Sequence, residues 1–79
     1  MTINATVTRL DRFPAPYGKE ITLENVAYEN GMRVLRVHIR EGNRFTVMDV
    51  DAGTASKLGS ALTGWAGEVV RAQAQEPDI

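Results

Sequence analysis

Arg36, His38 and Arg40 stand two residues apart, and Arg44 follows four later. In an extended strand that spacing puts the first three side chains on one face. A strand face that offers basic groups beside an aromatic such as Phe45 can hold single-stranded nucleic acid. His38 is the only histidine, and a catalytic histidine needs a nucleophile and an orienting acid within reach. The only serines, Ser56 and Ser60, fall in a helical segment, so His38 is expected to be a surface group. Asp49 and Asp51 form a second candidate, since paired carboxylates can hold a hard cation or exchange protons. The later Glu of a calcium loop is missing from this stretch, and with one His and no Cys the chain has few zinc ligands. Gly53-Thr54 at a helix start is a weak phosphate cradle without a full phosphate-loop pattern. The chemistry therefore points away from an enzyme, with no catalytic residue, metal or cofactor expected.

The elements that carry these residues follow from turn residues and alternation. Ile3, Ala5 and Val7 alternate with Asn4, Thr6 and Thr8, which predicts a first strand over 3–9. Asp11 to Gly18 contains Pro14 and Pro16, which predicts an extended loop. Its Phe13 and Tyr17 either fold over the edge of the core or dock into a partner's aromatic groove. Residues 20–28 and 32–40 read as strands joined through Glu29-Asn30-Gly31, with Gly31 in the left-handed conformation. Residues 44–50 read as a fourth strand after a Gly42-Asn43 turn.

Those turns fix a register that sets Val26 opposite Val34, Leu23 opposite Val37, and Val37 opposite Met48. The two hairpins then agree on one apolar face: Ile21, Leu23, Leu35, Val37, Ile39, Met48 and Val50. A slip of one residue would scatter that set. Asp51 stands where an N-cap belongs. Ala55, Leu58, Leu62, Trp65, Val69 and Ala72 follow at helical spacing, and the natural place for that stripe is across the apolar sheet face. The expected fold is α+β. It is a four-stranded, mainly antiparallel β-meander with one C-terminal amphipathic α-helix packed on one face, a single domain over residues 1–74 with a flexible tail at 75–79. Ser56, Ser60, Thr63 and Gly67 make a strip of small side chains, and either its close packing on the sheet or the close approach of a second helix would compensate for the glycines in the helix.

On the opposite face Arg36 lies between Glu24 and Asp49, and Arg40 opposite Glu20, so cross-strand ion pairs account for most of the basic stripe. The same face carries Val26, Tyr28, Met32 and Val34 near one hairpin turn, with Phe45 and Val47 further along. One helix covers one face, so unless strand one or the Phe13–Tyr17 loop covers them, these six residues are the expected protein interface, against a second copy or a larger protein.

The chain has 79 residues and a net charge of −1. That length allows one domain with a modest core. The charge gives no overall attraction to nucleic acid or anionic membrane. Without cysteine there is no disulfide, and association is the remaining way to stabilise so short a domain. Met1-Thr2-Ile3-Asn4 has no basic or apolar leader character, and no run approaches the roughly 20 apolar residues of a membrane span. The expected setting is cytoplasmic.

The element order over residues 20–73, strands followed by a helix, resembles the single-stranded-DNA-binding domains of the positive-cofactor transcription-coactivator family. Val37-His38-Ile39-Arg40-Glu41 is similar to a strand segment there. The resemblance implies a dimer that binds single-stranded nucleic acid through Arg36, His38, Arg40 and Arg44. The paired charges and acidic balance depart from that family's binding surface. The leading expectation is a non-catalytic interaction module, a homodimer or an accessory subunit, with nucleic-acid binding as the alternative.

Overall fold

A computed structural model describes residues 4–75. Four strands, β1 (Ala5–Ala15), β2 (Lys19–Tyr28), β3 (Arg33–Glu41) and β4 (Arg44–Val50), form one antiparallel sheet in the order β1-β2-β3-β4. Helix α1 (Ala52–Gln75) follows and packs on the sheet, mainly against β3. The fold is the expected α+β meander with a C-terminal helix. α1 runs through Gln75, so the helix takes in the first residue assigned to the tail. Ile3 and the rest of that tail lie outside the described residues.

Both inferred registers hold. Val26 pairs with Val34, Leu23 with Val37 and Ile21 with Ile39. Leu35 pairs with Val50, Val37 with Met48 and Ile39 with Thr46. The turns explain why. Gly31 and Gly42 have φ of 90° and 59°, conformations that side chains with a Cβ adopt at a cost. The Gly31 N–H donates to the Tyr28 carbonyl at 3.0 Å and closes the first of these turns.

Strand one departs from expectation. It continues through the proline segment to Ala15 and lies on the edge beside β2. An edge strand has one hydrogen-bonding side free, so Pro14 costs no ladder bond there. A bulge between Arg9 and Asp11 makes Leu10 the extra residue. Before it, Val7 and Arg9 share the face of Val26 and Glu24. After it, Phe13 stands opposite Ile21 and joins the inner apolar face. Pro16, Tyr17 and Gly18 make the turn, with positive φ at Tyr17 and Gly18 and the Tyr17 ring in solvent.

The core is thin. Val26 and Val50 are the only buried large apolar side chains among the described residues, at 1% and 7% exposure. The inner-face strand residues Ile21, Leu23, Leu35, Val37 and Ile39 are half-buried. Met48, Leu58, Leu62 and Trp65 were expected beside them in the core and are exposed, Trp65 at 65%. The cause is geometric. Asp51 alone joins β4 to α1. At 24 residues α1 is about 36 Å long, and it lines the wedge above the sheet with residues of its first half, Ala55 to Leu62. The chain accordingly measures 65 × 30 × 15 Å.

Candidate interaction surfaces

The outer face is a polar network laid over a short apolar row. Arg36 grips Asp49 with two hydrogen bonds, Nε to Oδ1 at 2.8 Å and Nη2 to Oδ2 at 3.0 Å. Glu24 does not complete that pair. It turns diagonally to His38, whose Nε2 lies 2.6 Å from Glu24 Oε1. Glu20 serves two cations, Arg12 at 3.0 Å and Arg40 at 3.7 Å. On the inner side, at the end of the sheet, Glu41 faces Arg44 in the register but bridges to Lys19 at 2.6 Å. Three of the four candidate nucleic-acid residues, Arg36, His38 and Arg40, therefore face a carboxylate, and Arg44 forms no ion pair among the described residues.

His38 and Glu24 line a hollow of about 210 Å³ with Thr22, Arg40 and Phe45. A histidine held by a carboxylate is the orienting half of a catalytic arrangement. Among the described residues no hydroxyl is hydrogen-bonded to the ring. Spacing alone did not reveal this pair, because Glu24 and His38 are diagonal across the ladder. A diagonal partner was the available signal.

The apolar outer residues divide. Val26 sits on the second strand, flanked by Val7 and Val34, and is already buried by its own chain. In the lone chain it is 1% exposed, so of the six expected interface residues it has the least surface to offer. Tyr28 and Val34 are half-buried, while Met32, Phe45 and Val47 are exposed.

The inner side holds a wedge between helix and sheet of about 350 Å³. Phe13, Ile21, Leu23, Leu35 and Val37 form its floor, and Ala55, Leu58, Gly59 and Leu62 its roof. No residue of α1 beyond Leu62 lines it. A Cβ built on Gly59, Gly64 or Gly67 meets no atom within 4 Å. The small residues of α1 therefore do not serve close packing on their own sheet.

The helix N-terminus is occupied by its own cap. The Thr54 N–H donates to Asp51 Oδ1 at 2.9 Å, which uses one of the free amides that a phosphate would need. Hydrogen bonds from Thr54 hold the Asp51 carboxyl below the usual carboxylate range, and the Arg36 guanidinium does the same for Asp49. Both groups bind a proton more weakly in the folded chain than in the unfolded one. Their stabilisation is therefore present above the unfolded value, about pH 4, and is lost as pH falls through the lower folded values. The unfolding midpoint of the wild type is expected to drop on acidification below that point. Combining Asp49→Asn with Asp51→Asn should flatten the drop, as urea titrations at stepped pH will read.

Residues 4–68 match the model of a family of unknown function, a stretch that spans all four strands and α1 as far as Glu68. The chain belongs to that family, DUF6967. No curated protein and no solved structure matches it. The family description assigns no chemistry, and the resemblance to the coactivator domains rests on element order. Among the described residues no helix is long and apolar enough to cross a membrane.

Proposed function

We propose that this member of DUF6967 is a non-catalytic protein-interaction module, working as a homodimer or as a small accessory subunit of a larger complex. The observation that carries this reading is the unfinished core. A compact chain of this length has a radius of gyration of about 12 Å, and this one has 16.8 Å. Exposed apolar side chains occur on the strands and along the helix, from Phe13 through Met48 to Val70. Apolar exposure on both the sheet and the helix supports a contact with another chain. The nucleic-acid alternative draws less support, because its cations are mostly matched by carboxylates and the net charge is −1.

Urea unfolding at a series of protein concentrations tests the module. If folding is coupled to self-association, the midpoint rises with concentration, and each tenfold dilution removes about 1.4 kcal/mol. A chain that is poorly ordered alone at every concentration needs a different partner and fits the accessory-subunit form. A cooperatively folded chain with a concentration-independent midpoint contradicts the proposal.

A further inference from the structure

We infer that the occupant of the open inner face is a second copy of this chain, with the stretch of each α1 from Leu62 at the wedge mouth through Trp65 lying on the inner sheet face of the other. This rests on the interaction-module reading and names its partner and its surface.

The first argument is area. A compact monomer of this mass exposes about 4,700 Å², whereas this chain exposes 6670 Å². The surplus is well over about 1,000 Å² per chain, so two copies have about 2,000 Å² or more to hide, the range of obligate homodimers.

The second argument is that the deficit has two complementary halves. The inner sheet face lacks helix over part of its area, with Met48 and Phe13 exposed. The distal helix lacks a sheet, with Trp65 65% exposed, and Leu62 at the open mouth of the wedge is itself 58% exposed. Both deficits belong to one chain, and a two-fold axis satisfies both at once because each copy gives what the other lacks. An unrelated partner would have to supply both a helix and a sheet.

The third argument is chemical. The stripe from Leu58 through Leu62 and Trp65 to Val69 carries no charge, nor do Leu23, Val37 and Met48 on the sheet. Asp11, Lys19, Glu41 and Arg44 share the inner side in the register, so charge sits around the apolar centre of that face and not within it. The outer face, by contrast, is bound up in ion pairs, and its best apolar residue, Val26, is already covered.

Trp65 is the only tryptophan, so it reports on this surface without a label. The experiment uses the full chain and reads Trp65 emission and acrylamide quenching across a dilution series, alongside sedimentation of Leu62→Asp and Phe45→Asp. The expected result is blue-shifted, quencher-protected emission in the associated protein that shifts red on dilution. Leu62→Asp buries an unpaired charge in each copy and should weaken association by at least about a thousandfold. Phe45→Asp, on the outer face, should leave association unchanged.

Should Leu62→Asp fail to fold, the quenching of wild-type Trp65 decides alone. Association with Trp65 fully open to acrylamide overturns the inference. So does association lost in Phe45→Asp and kept in Leu62→Asp, and in both cases the module reading stands. A chain that is disordered alone also overturns the second copy while leaving an accessory-subunit role. A folded, non-associating chain removes both.

Discussion

Val26→Asp is expected to abolish the cooperative unfolding transition at 25 °C. Val26 is 1% exposed and has Val7 and Val34 beside it on the flanking strands. A carboxylate there would be buried without a partner, at about 3–5 kcal/mol. A 79-residue domain has about 4–12 kcal/mol in total, and a core this thin belongs at the low end. Val26→Ala, which removes two methyl groups and leaves a cavity, should cost about 2 kcal/mol and keep the fold. Val47→Asp is the control, because Val47 shares the face but is 51% exposed; its change should stay within about 0.5 kcal/mol. Circular dichroism through a urea titration separates the three. A Val26→Asp midpoint close to wild type would show that the row is not the core.

Trp65→Ala has the second large effect, and its size depends on which state is measured. In a lone chain the indole is 65% exposed, so its removal costs little. In the proposed dimer it is buried twice, and a buried Trp→Ala change costs about 3–5 kcal/mol per site. Two sites together raise the dissociation constant at least about ten-thousandfold. Sedimentation equilibrium of the variant against wild type gives that ratio. A ratio near one would place Trp65 outside the interface.

The hairpins were legible because their turns are local. Asn30-Gly31 and Gly42-Asn43 require left-handed glycine, and once they are placed the alternation of Leu23, Val37 and Met48 locks the register. The Asp51 cap was legible for the same reason, since its partner Thr54 is three residues away. Three features were not. Pro14 argues against a strand unless the strand is known to be an edge, and edge position is a property of the whole sheet. The bulge at Leu10 moves Phe13 to the inner face through backbone geometry that no residue type demands. The apolar stripe of α1 shows which side of the helix wants cover, but not whether its own sheet reaches that far. Side-chain pairing was half legible: the register set Glu24 opposite Arg36, yet Glu24 takes the diagonal His38 while Arg36 takes Asp49.

The central claim is that the inner face is finished by another chain, a second copy of itself. Sedimentation velocity of the wild-type chain, from the lowest detectable concentration upward, tests it most directly. The account predicts a folded particle of two chains that dissociates on dilution with loss of structure. A particle of one chain, folded at every concentration, would contradict it.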